Sequence, residues 1–448
     1  MVDYFLLASV LTGIAVLLVL ILVFRIQAFL ALLISSITVG LLAGMSPEKI
    51  VEAIQTGMAS TLGFIAVIIG LGAMFGALLE HSGGVQSLAA AILKKTGEKK
   101  APWALVVTGF LVGIPVFFDV GFIILVPVVY ALQKKTSKSL LAYGIPLLAG
   151  LAITHAFIPP TPGPVAVAEI LGANLGWVIL VGFIAGVPAA IISGPLFAKF
   201  ISKRIFLEAK DFAEPGPKTD FPSASMILFL VGLPIFLIVL NTTLSSPLAA
   251  NLPLSENVIS WIKMLGHPFI ALLIANLLAW YLLGIRRGFK TKELLEITSR
   301  SLAPAGLIIL ITGAGGVFKQ MLTETGAGKM LATAMASYQL SYLVFAFLTA
   351  AIIRVVQGSA TVAMITAAGM TAAFIEGNMM TDMQKALLVI SIASGATIFS
   401  HVNDSGFWLV SKYFGMNEKQ TLASWSVVTV LISITGFATV ILLNFFIS

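Results

Sequence analysis

The stretch YQLSYLVFAFLTAAIIRVVQGSATVAMITAAGMTAAFI, residues 338–375, decides how this chain folds. One crossing of a hydrocarbon core takes about 20 apolar residues. This run is longer than that and is broken near its middle at RVVQGSATV (354–362), so it predicts a helical hairpin that enters the membrane and returns on the same side. Residues 102–132 repeat the pattern around GIPVFFDVG (113–121). Two more long stretches, 139–172 and 384–414, carry polar, Gly- or Pro-marked breaks at THAFIPPTPGP (154–164) and SHVNDSGF (400–407), and read as discontinuous spans. Irregular backbone at membrane depth is tolerated only inside protein or along a wet cavity. The four breaks therefore predict one interior site.

Composition agrees. The chain is 59% hydrophobic and 10% charged over 448 residues, whereas soluble domains run at roughly 45–50% apolar and about 25% charged. An all-α polytopic membrane protein is expected, with simple spans at 4–24, 28–44, 60–79, 176–198, 223–244, 267–284, 301–318 and 422–446. The first of these follows only Asp3 and lacks a basic leader, so it reads as a retained span and not a signal peptide. The absence of cysteine excludes disulfides, thiolate metal centres and thiol nucleophiles.

The net charge of +7 matters less than where the cations fall. With the N- and C-termini outside, the inner segments hold Arg25, the clusters 94–100 and 134–138, the basic residues of 199–218 and 286–300, and Lys412 and Lys419. Only Lys49, Lys263, Lys329 and Lys385 fall outside. The net charge thus belongs to membrane orientation, and no nucleic-acid partner is expected. Shifting the chain on itself by 243 residues pairs Gly63 with Gly306, Gly70 with Gly313, Phe75 with Phe318 and, in a separate block, Gly163 with Gly406 and Asn174 with Asn417. Each half has an odd number of net crossings, so the halves are expected to be inverted repeats, 1–198 and 223–448, joined by a charged cytoplasmic linker, 199–222. Inverted repeats with paired interrupted helices are transporter architecture.

Half-helix ends at the breaks offer free N–H groups and a positive dipole to an anion, and a carboxylate is the natural guest. Arg354 is costly at mid-bilayer and reads either as a carboxylate clamp or as the partner of Asp119 or Asp404. Asp119 reads as a proton-coupling carboxylate or as the N-cap of the following arm. Asp404, the second coupling candidate, precedes a half-helix and reads equally as a cap, with Asn403 beside it. Ser359 and Thr361 follow Gly358 in the same manner, and His155 and His401 read as donors, proton relays or satisfied histidines. Ser400, His401 and Asp404 fall on one break without a nucleophile elbow, and no phosphate-binding glycine motif is present. An enzyme is not expected.

LTGFLVGIPVFFDVGFIILVP (107–127), THAFIPPTPGPVAVAEILGANLG (154–176), RVVQGSATVAMITAAG (354–369) and GATIFSHVNDSGFWLVSKYF (395–414) resemble the gluconate:proton symporter family, or gluconate permeases. The likeness extends over nearly the whole chain. It implies proton-coupled uptake of gluconate or a related hydroxy acid across a bacterial inner membrane. It also implies a homodimeric elevator in which the hairpins and broken helices move against a scaffold of the remaining spans. No cofactor is implied beyond the coupling proton. The family's pattern places substrate among Asp119, His155, Thr161, Ser359, Thr361, His401, Asn403 and Asp404 of this chain. Many members have Glu at Asp119 and His at Thr161, departures that leave the sugar acid open. D-serine, idonate and fructuronate carriers belong to the family too. A sodium-coupled carboxylate transporter or an organic-anion channel would share the same hairpins.

Overall fold

The computed structural model describes residues 4–209, 221–245, 255–326, 341–375, 380–402 and 404–447. Among them there are helices and connecting turns and no strand. Two long helices form one side. The first, α3 (Pro47–His81), starts at Ser46, whose hydroxyl accepts from the Lys49 amide, with Pro47 in the first turn. The second, α14 (Thr291–Glu324), packs along it. Glycine permits that approach, since a Cβ on Gly57 would lie 2.7 Å from the Val317 Cα and one on Gly316 only 2.7 Å from the Gly57 carbonyl oxygen. Small residues of this kind bring membrane helices into backbone contact. Both helices run well past the expected 60–79 and 301–318, because polar turns at their ends, and at α3 the Ser46 cap, continue the helix beyond the apolar core.

The expected interruptions are present. The expected first hairpin consists of α5 (Ala101–Val112) and α6 (Phe118–Thr136), with its break at 113–117, and both arms pack on residues 141–157 rather than along each other. The second consists of α15 (Tyr342–Gln357) and α16 (Ala360–Ile375), joined through Gly358, whose φ of 87° suits glycine. Residues 338–340, which were included in that hairpin, lie outside the described residues. The broken spans are α7 (Leu141–Phe157) with α8 (Pro162–Leu171), and α17 (Asp382–Thr397) with α18 (Ser405–Phe414). In each pair of motifs, the first hairpin arm lies on the first half of the broken span, α5 on α7 and α15 on α17.

Seven described helical stretches are long and apolar enough to cross a membrane, and they differ in enclosure. In Leu141–Leu171, 83% of an 18-residue apolar window is buried within the protein, whereas in Ala224–Ser245 only 28% is. The interrupted span is therefore interior, and most of the uninterrupted one is left uncovered by the rest of the chain. The tip of the first hairpin rests against α3, where a Cβ on Gly76 would meet the Pro115 carbonyl oxygen at 2.2 Å. The last span enters through α19 (Glu418–Thr421) and a π turn, 422–426, before α20 (Val427–Ile447). This π turn was not foreseen. A helix, α12 (Glu256–Leu265), capped by Ser255, fills part of a connection expected only as an outer loop. Trp261 on it is 64% exposed, which suits a helix lying at a membrane interface.

Candidate functional site

Three of the four interruptions, together with the end of α7 just before the fourth, line one cavity of about 600 Å³. Phe117 to Val120 of the first hairpin face His155 at the end of α7, Arg354 and Gln357 to Thr361 of the second hairpin, and Asp404 to Gly406 of the second break. Pro304 and Ile308 of α14, and Trp425 and Thr429 from the last span, complete the wall. Three half-helices, α6, α16 and α18, begin at this cavity, since residues 118–120, 359–361 and 404–406 line it. Their positive dipole ends converge on the same space, which suits an anion.

Arg354 sits in the last turn of α15 and is 4% exposed. Its Nη2 donates to Asp404 Oδ2 at 2.5 Å, so the ionic partner is Asp404 rather than Asp119. Nε and Nη1 are buried with no hydrogen-bond partner. An orphaned buried donor costs about 1–3 kcal/mol, more when charged. Asp404 is taken up by other groups. Its Oδ2 also accepts from the Ser400 hydroxyl, and its Oδ1 accepts from the Gly406 amide at 3.1 Å, the cap of α18. The Trp425 indole donates to Ser400 Oγ at 2.8 Å, the Ser400 amide donates to Thr429 Oγ1 at 2.9 Å, and the Ser426 hydroxyl donates to the Ser400 carbonyl. The π turn thus holds the loop that aims Asp404 at Arg354. Phe118 of the first hairpin stacks on Trp425 with ring centroids 5.3 Å apart, and ties both sides of the cavity together.

Asp119 behaves differently. It is not the cap of α6: Phe117 occupies the cap position and no side chain bonds the helix end there. Among the described residues the Asp119 carboxylate makes no hydrogen bond or ion pair and is exposed in the cavity wall. His155 lines the same space, and its Nδ1 is buried without a partner. The Ser359 hydroxyl accepts from the Val362 amide at 3.4 Å and caps α16, and Thr361 lines the cavity one turn in.

Two expected members stand apart. Thr161 is 4% exposed, and its hydroxyl donates to the Ile158 carbonyl at 2.6 Å. It lines a small space against α3 and the first hairpin tip, so it shapes the turn instead of facing the cavity. The His401 ring nitrogen Nε2 bonds the Val355 carbonyl at 2.6 Å, outside the cavity lining, and so braces the second hairpin. Asn403 lies outside the described residues. Trp425, Thr429 and Gln357 are among the wall residues that the sequence did not single out. The cluster SWS (424–426) at the head of an apolar span was the available signal for the first two.

A second cavity of about 390 Å³ adjoins the first and shares Phe117, Val120 and Pro304 with it. Its walls carry Glu80 and His81 from the end of α3, and Glu293, Glu296 and Arg300 from the start of α14.

This arrangement has known counterparts. The profile of the GntP family permeases matches residues 5–446. The chain belongs to the GntP family of permeases. It is 40% identical to the gluconate permease of Pseudomonas aeruginosa over 99% of this chain and 98% of that one. It is 39% identical to the low-affinity gluconate transporter of Escherichia coli K12, over 92% of each chain, and 37% identical to the Gnt-II system L-idonate transporter of the same strain, over 96% of this chain and 97% of that one. In three dimensions the permease resembles the Alcanivorax borkumensis YdaH transporter with a TM-score of 0.62 at 15% identity, over 89% of this chain and 90% of that one, a likeness of fold alone. The permease is a multi-pass membrane protein that moves a small molecule, and it is not an enzyme.

Proposed function

We propose that this permease takes up gluconate or a closely related sugar acid together with protons. The observation that carries the reading is Arg354, buried at 4% exposure beside the 600 Å³ cavity with two donors unspent and three half-helix N-termini around it. The substrate carboxylate docks on Arg354 and those helix ends. Asp404 is the fixed counter-ion of Arg354, and Asp119, exposed and unbonded, carries the proton. The relatives named for gluconate and L-idonate support a polyhydroxy acid.

The charge count gives the coupling a reason. Arg354 and Asp404 cancel, so an ionised Asp119 leaves the cavity singly negative. Two like charges about 6 Å apart repel by roughly 3 kcal/mol at an effective dielectric of about 20. Protonating Asp119 removes that repulsion, and one proton accompanies one monoanion without net charge transfer.

The movement is an elevator in which the two hairpins and two broken spans, as inverted repeats on either side of the 199–222 linker, slide against the other helices of a homodimer in a bacterial inner membrane. The 243-residue offset and the like order of hairpin and broken span in the two halves support the repeat. Both termini lie outside. Vesicles loaded at neutral pH are expected to accumulate labelled gluconate when the outer pH is lowered, with sodium present or absent. Uptake that needs sodium at fixed pH would make sodium the coupling ion, and flux that never exceeds equilibration would make the protein a channel.

The second cavity is then the cytoplasmic vestibule, with Phe117, Val120 and Pro304 between it and the site. The chain has no cysteine, so each introduced thiol reports alone. A cysteine at Arg300 is expected to react with an impermeant maleimide from the cytoplasmic face only, and one at Lys263 from the outer face only. The reverse labelling would invert the topology.

A further inference from the structure

We infer that Gln357 is a specificity-determining residue that accepts a hydrogen bond from a hydroxyl on the carbon next to the substrate carboxylate, so that the site selects 2-hydroxy acids. The inference rests on the proposed docking of a carboxylate at Arg354 and refines it. Gln357 closes α15 one helical turn after Arg354, and residues three apart share a helix face with Cβ atoms about 5–6 Å apart. Both side chains line the central cavity. Three of their polar atoms, Arg354 Nε and Nη1 and Gln357 Oε1, are buried without a hydrogen-bond partner. Buried polar groups are nearly always paired, so three unpaired atoms on one turn beside a cavity mark a place where the missing partners arrive with a ligand.

The chemistry of those atoms describes the ligand. The guanidinium donors call for carboxylate oxygens. The amide oxygen calls for a donor and repels a carbonyl or a second carboxylate oxygen. A carboxylate whose neighbouring carbon bears a hydroxyl supplies both within one short fragment. A 2-deoxy acid leaves Gln357 Oε1 orphaned, and a 2-keto acid sets oxygen against oxygen. Gly358, next in the chain with a φ of 87°, turns the backbone out of α15, and the first hydroxyl of the following arm, Ser359, is taken up as a cap. Gln357 is thus left facing the ligand.

The test compares gluconate with its 2-deoxy and 2-keto counterparts as competitors of labelled gluconate in proteoliposomes, in wild type and in Q357L and Q357N. Wild type is expected to prefer gluconate by about ten-fold or more, the range set by leaving one buried acceptor unpaired. Q357L is expected to bind gluconate about ten-fold more weakly and the 2-deoxy acid as before, so that the preference collapses. Q357N keeps an amide oxygen and is expected to retain part of it, a rescue that a merely structural role would not give. An equal loss for both acids in Q357L, or an undiminished preference, overturns the inference. The proposed function fails separately, and is read first, if wild type transports none of the three acids.

Discussion

Replacing Arg354 by alanine is expected to abolish gluconate uptake and to lower thermal stability in detergent. The substitution removes the two unspent donors that receive the carboxylate and also strips Asp404 of its counter-ion. Breaking a buried pair from one side costs about 3–5 kcal/mol because the remaining charge is uncompensated. Loss of activity alone would therefore be ambiguous between folding and binding. Two companions separate them. Arg354→Lys keeps a positive charge for Asp404 but replaces a planar five-donor group by a point charge, so it is expected to fold and to weaken substrate by about 2 kcal/mol, near thirty-fold. Arg354→Ala with Asp404→Asn removes both charges but keeps an amide oxygen for the cap of α18, which relieves the folding penalty while leaving no clamp. A double variant that folds and still shows the wild-type ligand-induced rise in melting temperature would remove Arg354 from the binding site.

Asp119→Asn is the second large effect. It is expected to hold the cavity permanently in the charge state of the protonated carboxyl, so the substrate anion still docks while no proton travels with it. Counterflow exchange at equal concentrations is expected to stay within a few-fold of wild type, and accumulation driven by an inward proton gradient is expected to vanish. The charged and titratable groups sharing that cavity are Arg354, Asp404 and His155. Asp404 already accepts from Arg354, Ser400 and the Gly406 amide, which leaves it no free role without breaking α18's cap. His155→Gln is the control, expected to retain gradient-driven accumulation. If Asp119→Asn still concentrates gluconate in response to lowered outer pH while His155→Gln does not, the proton carrier is His155. Because one proton neutralises one monoanion, wild-type uptake is also expected to be indifferent to an imposed membrane potential, which a charge-moving stoichiometry would contradict at about 2.3 kcal/mol per charge per 100 mV.

Much of the fold was legible because membrane insertion leaves few choices. An apolar run has to be helical where no water can satisfy its backbone. Glycine, proline and polar residues inside such a run mark where the helix stops: the breaks at 113–117, 158–161 and 358–359 fall within the motifs that announced them, and the fourth begins two residues ahead of its motif, at Ile398. The helix ends were less legible. Ser46–Pro47 and the polar opening of α14 extend those helices beyond their apolar cores, and hydropathy is blind to caps.

The candidate site was legible as a set of breaks but not as a set of contacts. Residues of similar type beside the breaks, Thr161 and Ser359, or His155 and His401, are alike in the sequence. Tertiary packing separates them. Thr161 turns its hydroxyl onto its own loop, and His401 bonds the Val355 carbonyl, whereas His155 and Ser359 line the cavity.

By itself the sequence determined that the chain is an all-helical membrane protein with four interrupted segments, because hydropathy, glycine and charge act locally along the chain. Only the tertiary structure decided which carboxylate answers Arg354. That choice depends on α15, the loop before α18 and the π turn of the last span meeting in one place, where Trp425 and Ser400 fix Asp404 and leave Asp119 open. Pairing across such distances is set by which surfaces pack, and no local pattern of residues encodes it.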